Sequence, residues 1–216
     1  PGMGKTRLAI AYAQALGLPY EVIAAGGLED ASILKGAQTK WVGSAPSLIL
    51  QILRRFGCSN GVVIIDEIDK LGASEQGRQV QYALLHITDP VMNREFRDNF
   101  LSDFPHDLSK LCFILTMNHD EWLDDMLRDR LNIITVPCYN TSEKAIIVER
   151  YLLPTTLRHF GLTTREVTFT VAGVKTLLSL LEAEVETSGR RPVERAVHRI
   201  VSRLNYLRRV TLPDGT

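Results

Sequence analysis

The first residues of the chain have the types and spacing of a phosphate-binding loop. The segment from Pro1 to Thr6, PGMGKT, matches the last six positions of the pattern G-x-x-x-x-G-K-[ST]. In such a loop the glycines let backbone N–H groups close around phosphate oxygens, while the lysine contacts phosphate and the hydroxyl reaches magnesium. The leading glycine would lie two residues before Pro1, so we expect a fragment that begins inside its own nucleotide site. The alternative is a glycine-rich loop that only caps a helix.

Two adjacent carboxylates, Asp66 and Glu67, end a continuous apolar segment. Residues Gly61 to Ile65 are apolar and mostly β-branched, which predicts a buried parallel strand. P-loop ATPases place a magnesium-binding aspartate and a water-activating glutamate at the end of such a strand, here about sixty residues after Gly-Lys-Thr. We therefore predict that both carboxylates lie beside the terminal phosphate. The alternative is that they cap the following helix, but Asp69 is available for that role.

A sheet and its flanking helices must position these residues. Apolar residues at helical spacing predict a first helix that points its N-terminus at the phosphates, and they are Leu8, Ala9, Tyr12, Ala13 and Leu16. A second helix is predicted to start at Ser44 to Pro46 and to continue to Phe56. The predicted strands are Tyr20 to Ala24, Gly61 to Ile65, Leu111 to Thr116 and Ile133 to Val136. Strands that alternate with helices predict an α/β fold, a parallel sheet with helices on both faces.

From Thr141 onward the apolar period is helical only. The predicted helices are Glu143 to Arg158, Val171 to Glu186 and Pro192 to Arg209. We therefore predict two domains, a large α/β subdomain over residues 1–138 and a small all-α subdomain over residues 139–216. The last helix carries Arg195, Arg199, Arg203 and Arg208, which could contact nucleic acid. A solvated helix face is the favoured interpretation, because glutamates occupy the preceding helix.

Composition and charge describe a globular protein without a marked electrostatic preference. The 25 basic residues balance 25 acidic ones, so nothing favours nucleic acid or an anionic membrane as a partner. No apolar stretch approaches the length that would span a membrane. The cysteines, Cys58, Cys112 and Cys138, are odd in number and widely spaced in apolar surroundings. They predict reduced, buried thiols and hence a reducing intracellular compartment.

Six further motifs occur in a fixed order along the chain. They are Gly26-Gly27, G-x-x-x-x-W-V-G-x-x-P from Gly36 to Pro46, IIDEIDKLG from Ile64 to Gly72, DPVMNREFRDNFL from Asp89 to Leu101, DLSKLCFILTMN from Asp107 to Asn118, and SEKAIIVERYLLP from Ser142 to Pro154. In this order and spacing they resemble the AAA+ module of Lon proteases, over nearly the full length of the chain. The resemblance implies the AAA+ P-loop NTPase fold with a helical lid subdomain. It also implies a hexameric ring that hydrolyses ATP with Mg²⁺ and pulls unfolded or damaged proteins through a central pore toward a peptidase chamber.

The resemblance also implies roles for individual residues in ATP hydrolysis. The ATP-binding loop is matched by Gly2, Met3, Gly4, Lys5 and Thr6, with Lys5 on phosphate and Thr6 on Mg²⁺. Asp66 is similar to the second Mg²⁺ ligand, acting through water, and Glu67 to the base that activates the attacking water. Asn118 resembles the polar sensor at the end of a strand. Arg130 resembles the finger that a neighbouring subunit inserts against the γ-phosphate, and Arg191 the arginine that reports the phosphate state from the small domain; for both, the alternative is a surface charge.

Trp41 and Val42 match the aromatic and hydrophobic pair that grips substrate in the Lon pore. The alternative for Trp41 is that it packs over a helix end. The chain departs from the Lon pattern at Gln76 to Gln79, which replaces Arg-Gly-Asp-Pro of the second pore loop before a helix. Leu131-Asn132 replaces Met-Glu, and Pro192 replaces the glycine after Arg191. These changes concern substrate preference and coupling to the small domain, and they leave the ATPase residues unchanged.

The serine-lysine peptidase half of Lon lies outside these residues, so ATP-dependent serine endopeptidase activity is implied only for a full-length protein. Alternatives are a stand-alone AAA+ unfoldase or chaperone, a nucleic-acid-remodelling motor, which the neutral charge disfavours, and a ring member that does not hydrolyse ATP. A Lon-type protein implies location in the cytoplasm, mitochondrial matrix or peroxisome.

In AAA+ folds the strand before the phosphate loop lies between two other strands of the sheet, which are here Leu111 to Thr116 and Ile133 to Val136. We therefore expect residues 1–216 alone to fold poorly, because buried unpaired strand edges are costly.

Overall fold

The computed structural model describes residues 2–28, 30–38, 40, 43–72, 74–121, 123–184 and 190–211, without the side chains of residues 182–184 and 211. The chain divides into two compact units. The sheet unit is Lys5–Ile134, and the helical unit comprises Pro1–Gly4 together with Thr135–Thr216. Each unit has its own hydrophobic core. Among the described residues, no helix combines the length and the apolar character that crossing a membrane requires.

The sheet unit alternates strands and helices. In chain order they are α1 (Lys5–Ala15), β1 (Tyr20–Ala24), α2 (Ser32–Lys35), α3 (Leu48–Phe56), β2 (Gly61–Asp66), α4 (Glu75–Thr88), β3 (Phe96–Arg97), β4 (Pro105–His106), β5 (Leu111–Leu115) and α5 (Asp125–Arg130). The main sheet is parallel, with the order β1-β2-β5. Val22 on β1 faces Ile64 on β2, and Ile65 on β2 faces Leu115 on β5. The predicted parallel α/β fold is confirmed, and β2 is its central strand.

Strand β2 is buried on both faces, as its unbroken apolar sequence predicts. Val62 and Ile64 pack with Ala9 and Ala13 of α1 on one face. On the other face, Val63 and Ile65 pack with α3 and α4 in the larger core. Because successive side chains on a strand point to opposite faces, one strand supplies both layers of the core. The helices on both faces hold the carboxyl end of β2 in one place.

Helices α3 and α4 begin at serine N-caps. Ser47 accepts a hydrogen bond from the Leu50 N–H at 3.3 Å, and Ser74 accepts one from the Gly77 N–H at 3.1 Å. Helix α3 therefore begins at Leu48 rather than at Ser44 to Pro46. The prediction that residues 76–79 form a loop before a helix is also wrong, because they lie in the first turns of α4. Gly77 is buried there, and a Cβ at this position would overlap the Leu71 carbonyl oxygen.

The predicted strand at Ile133 to Val136 does not form. Residues 132–140 have no regular secondary structure, and Ile134 is 78% exposed. A strand requires a neighbour with free backbone groups, and the described part of the sheet contains no strand that pairs with this segment. The apolar, β-branched sequence alone was therefore insufficient. A small antiparallel pair, β3 with β4, was not predicted, because its strands have two residues each.

The helical unit contains α6 (Thr141–Ile147), a π-helical turn (Val148–Leu152), α7 (Leu153–His159), α8 (Val171–Glu184) and α9 (Arg190–Thr211). The first three form one continuous helical stretch, which confirms the helix predicted for this region. Val193, Val197 and Val201 of α9 recur every four residues and are buried against the other helices. The arginines at positions 195, 199, 203 and 208 are exposed, as a solvated helix face requires.

The cysteines are less buried than the sequence predicted. Cys58 and Cys138 are exposed and Cys112 is partly buried, so the expectation of three buried thiols is wrong. Cys58 follows Gly57, the left-handed residue that ends α3, and therefore lies in a surface turn. Cys112 lies on β5, where burial raises the pKa of its thiol and disfavours the reactive thiolate.

Candidate nucleotide site

Strands β2 and β5 end beside the N-terminus of α1, because parallel strands present their carboxyl ends at the same edge of a sheet. Asp66 is the last residue of β2, and one of its carboxylate oxygens, Oδ1, accepts two hydrogen bonds. The Thr6 hydroxyl donates at 2.5 Å from α1, and the Thr116 hydroxyl donates at 2.6 Å from the residue after β5. The structure therefore joins the carboxylate of one motif to the hydroxyl of the other.

Lys5 and Asn118 form the second contact of the site. The Lys5 ammonium donates a hydrogen bond to Asn118 Oδ1 at 2.8 Å. The Asn118 amide nitrogen donates in turn to Asp69 Oδ2, over a longer distance of 3.4 Å. The other oxygen of Asp69, Oδ1, is buried and has no hydrogen-bond partner among the described residues. Lys5, Asn118 and Asp69 thus form a polar row beside Thr6 and Asp66, residues that lie far apart in sequence.

Glu67 has an unusual backbone conformation. Its φ of 59° and ψ of 51° lie in the left-handed region, which residues other than glycine seldom adopt. The Glu67 N–H donates to the Thr116 hydroxyl at 3.0 Å, and this bond holds the turn. The Glu67 carboxylate forms an ion pair with Lys70, one turn further along. Strand β2 thus ends at Asp66, and the left-handed Glu67 begins the turn that follows.

The remaining loop residues belong to the helical unit. Gly2 and Gly4 have φ values of 75° and 84°, which glycine adopts without strain. The Met3 carbonyl accepts a hydrogen bond from the Tyr139 hydroxyl at 3.0 Å, and the Gly2 carbonyl accepts one from the Arg190 N–H at 2.9 Å. Both bonds use carbonyl groups of the loop. The donors that a phosphate needs are its backbone N–H groups. Tyr139 is a contact that sequence analysis missed.

Of the other predicted site residues, Arg130 lies in the sheet unit and Arg191 in the helical unit. Arg130 is the last residue of α5 and forms an ion pair with Asp89, whose side chain is only 14% exposed. Arg191 is an exposed residue in the first turn of α9, in the helical unit. Trp41 and Val42 lie outside the described residues. Within the sheet unit, the structure thus brings together Lys5 with Asn118 and Thr6 with Asp66, and it pairs Arg130 with Asp89.

The residues at this edge fit a magnesium ion. Thr6 and Asp66 offer the oxygen ligands that Mg²⁺ prefers. The Thr6 hydroxyl oxygen and Asp66 Oδ1 lie 2.5 Å apart. The described residues contain no cluster of three or more histidine, cysteine or carboxylate side chains that could enclose a metal. One hydroxyl and one carboxylate suit Mg²⁺, which in nucleotide enzymes is held by one or two protein groups together with phosphate oxygens and water.

Comparison with known proteins decides the family. The model of the ATPase family associated with various cellular activities (AAA) matches residues 1–137. The chain belongs to this family. As a member of the AAA ATPases it is an enzyme that binds nucleotide, and its α/β sheet with following helices is the fold of that family.

Relatives of this AAA chain include several Lon proteases. It is 37% identical to the Lon protease of Desulfovibrio desulfuricans over 94% of its own length and 23% of that protein. It is 39% identical to the peroxisomal Lon protease homolog 2 of Pichia angusta, covering 91% of the chain and 21% of the relative. Lon protease 2 of Thermus thermophilus is also 39% identical, with 91% and 24% covered. The resemblance to the Lon AAA module is confirmed, and the chain spans about a quarter of the length of these relatives.

Proposed function

We propose that this AAA chain is the motor of a Lon-type ATP-dependent protease, which hydrolyses ATP to unfold protein substrates and move them toward a peptidase. The observation that carries the proposal is the convergence of Lys5, Thr6, Asp66 and Asn118 at one edge of the sheet. These are the cation, hydroxyl, carboxylate and amide that phosphate and Mg²⁺ binding require. The similarity to Lon proteases over the length of the chain supports the choice of substrate class.

In this proposal the backbone N–H groups of Gly2, Met3 and Gly4 and the ammonium of Lys5 bind the phosphates of ATP. Thr6 and Asp66 hold Mg²⁺, which neutralises phosphate charge when bound. Glu67 accepts a proton from the attacking water, for which its carboxylate must leave Lys70. Asn118 has both an acceptor and a donor at the end of β5, so it can orient that water.

Further residues of the proposal act between subunits and on the substrate. Arg130 reaches the γ-phosphate of a neighbouring subunit in a hexameric ring, and Arg191 reports the phosphate state from the small helical domain. Trp41 and Val42 grip unfolded or damaged proteins in the central pore by apolar contact.

The free cysteines suit a reducing compartment, which would be the cytoplasm, the mitochondrial matrix or the peroxisome; they are Cys58, Cys112 and Cys138. A stand-alone unfoldase would use the same site, and peptidase activity of the full-length protein separates the two functions.

The test is Glu67→Gln in the full-length protein. The glutamine keeps the size of the side chain but cannot accept the proton, so we expect turnover of ATP to fall about 10²–10⁴-fold while ATP still binds. Lys5→Ala should instead weaken nucleotide binding, because it removes the cation. Glu149→Gln changes an exposed glutamate in the helical unit and is the matched control. Unchanged ATP hydrolysis by the Glu67→Gln protein would refute the assignment.

A further inference from the structure

Apart from Asp89, which pairs with Arg130, the segment Asp89 to Leu101 contributes no residue to the candidate nucleotide site, yet it contains a fully buried carboxylate. The side chain of Asp98 has no exposed surface. A buried charge is costly unless hydrogen bonds compensate it, so its partners indicate what the carboxylate holds in place. One of those partners lies about fifty residues earlier in the chain, at the start of α3.

Asp98 connects its own turn to helix α3. Its Oδ1 atom accepts hydrogen bonds from the N–H groups of Phe100, at 2.7 Å, and Leu101, at 3.2 Å. Its Oδ2 atom accepts one from the N–H of Ser47, the N-cap of α3, at 2.7 Å. The partial positive charge of a helix N-terminus further favours a carboxylate at this position.

Asn99 holds the opposite end of the same loop. Its backbone N–H donates to the Lys35 carbonyl at 2.7 Å, and its side-chain amide donates to the Gly36 carbonyl at 3.1 Å. The two ends of the loop also meet each other, since the Ala37 N–H donates to the Ala45 carbonyl at 3.1 Å. Two consecutive residues, Asp98 and Asn99, therefore hold the exit and the entry of one loop.

Gly36 is part of the same contact. Its φ of 80° favours glycine, and a Cβ at this position would overlap the Asp98 carboxylate. The carboxylate can reach Ser47 because no side chain at position 36 blocks it. The loop held in this way, residues 37–46, includes Trp41 and Val42, the proposed substrate-gripping pair.

We propose that Asp98 and Asn99 are positioning residues that fix the base of the substrate-gripping loop to the sheet unit. The inference rests on the proposed function. A loop that pulls a polypeptide must transmit force at both of its ends, and a loosely held loop would yield instead of moving the substrate. A buried carboxylate that accepts hydrogen bonds from backbone N–H groups, and an amide that donates to a backbone carbonyl, supply such an attachment without touching the nucleotide.

The test uses the full-length protein and three assays: ATP hydrolysis, degradation of a stably folded protein, and cleavage of a short peptide. Asn99→Ala removes the bond to Gly36 and keeps the backbone bond to Lys35. Gly36→Ala displaces the Asp98 carboxylate and so disturbs its bond to Ser47, at the other end of the loop. For both we expect at least about fivefold less folded protein degraded per ATP hydrolysed, the factor expected for one lost hydrogen bond. ATP hydrolysis without substrate and peptide cleavage should stay within about twofold of the unaltered protein, since neither uses this contact.

Asn60→Ala is the control for Asn99→Ala, because Asn60 is an exposed asparagine of the same unit. The proposal is overturned if both variants degrade the folded protein at the normal ratio to ATP hydrolysed. It is also overturned if hydrolysis and peptide cleavage fall in parallel with degradation, since the contact would then serve only the fold. If the unaltered protein does not couple ATP hydrolysis to degradation, the proposed function fails first, and that result is distinct from either of these.

Discussion

Thr116 connects the two carboxylate-bearing residues of the candidate site. Its hydroxyl donates to Asp66 Oδ1 at 2.6 Å and accepts from the Glu67 N–H at 3.0 Å. One side chain thus orients the proposed Mg²⁺ ligand and stabilises the left-handed backbone of the proposed base. Thr116 is itself 5% exposed, so water cannot readily replace these bonds.

We expect Thr116→Val to lower kcat for ATP in the full-length protein by about 10-fold or more, with a smaller change in KM. Valine has the same shape but makes neither hydrogen bond, and each is worth about 0.5–1.5 kcal/mol. Thr116→Ser should restore most of the turnover, because serine keeps the hydroxyl. Steady-state kinetics measure both effects. Thr176→Val, which changes an exposed threonine of α8, is the control, and normal kcat in the Thr116→Val protein would contradict the role.

Helix α6 begins the helical stretch of the second unit with a reciprocal cap. The Asn140 side chain accepts from the Glu143 N–H at 2.8 Å, and the Glu143 carboxylate accepts from the Asn140 N–H at 2.9 Å. The cap satisfies N–H groups that the first turn of a helix leaves without intrahelical partners. It also explains why the helix begins at Thr141, two residues before the position predicted from apolar spacing.

We expect Asn140→Ala to destabilise the first turn of α6 by about 1 kcal/mol, because alanine cannot accept the capping hydrogen bond. Hydrogen exchange of the full-length protein, followed by mass spectrometry, should show about fivefold faster exchange for amides at the start of α6. Asn140→Asp keeps an acceptor oxygen and should exchange nearly as the unaltered protein does. Equal protection in the alanine variant would mean that packing of the helical core alone holds the turn.

The proposed ring makes a prediction about whole assemblies. Arg130 is 41% exposed at its side chain, so it can exchange its contact with Asp89 for one with a phosphate of a neighbouring subunit. Arg130→Ala and Glu67→Gln should each abolish most ATP hydrolysis, but by damage to opposite sides of a shared site. Subunits of the two variants, once mixed, should recover part of the activity, because some interfaces then contain both intact groups.

The matched control is Arg128→Ala, which removes another arginine of α5, one that pairs with Asp120 at 2.8 Å. This variant should hydrolyse ATP nearly normally by itself. Steady-state ATP hydrolysis across a series of mixing ratios measures the recovery, with co-assembly verified by mass. If verified mixed assemblies of Arg130→Ala and Glu67→Gln remain inactive at every ratio, Arg130 does not act across a subunit interface.

The local parts of this protein could be predicted from the order of its residues. Strand β2 with Asp66 and Glu67, and α1 with Lys5 and Thr6, follow from apolar periodicity and from motifs a few residues long. Parallel strands meet at one edge, so the meeting of these motifs could also be expected. The family followed from longer motifs, because their order and spacing are specific.

Contacts between distant residues required the tertiary structure. Thr116 and Asp98 carry no signal of their own, since a threonine at a strand end and an aspartate in a turn are ordinary residues. Their partners lie about fifty residues away, and only the folded chain brings them within hydrogen-bond distance. At Ile133 to Val136 the sequence instead predicted a strand that does not form. The side chains suit a strand, but no described strand pairs with this segment. Strand pairing and buried hydrogen bonds depend on groups elsewhere in the chain, which local sequence patterns do not specify.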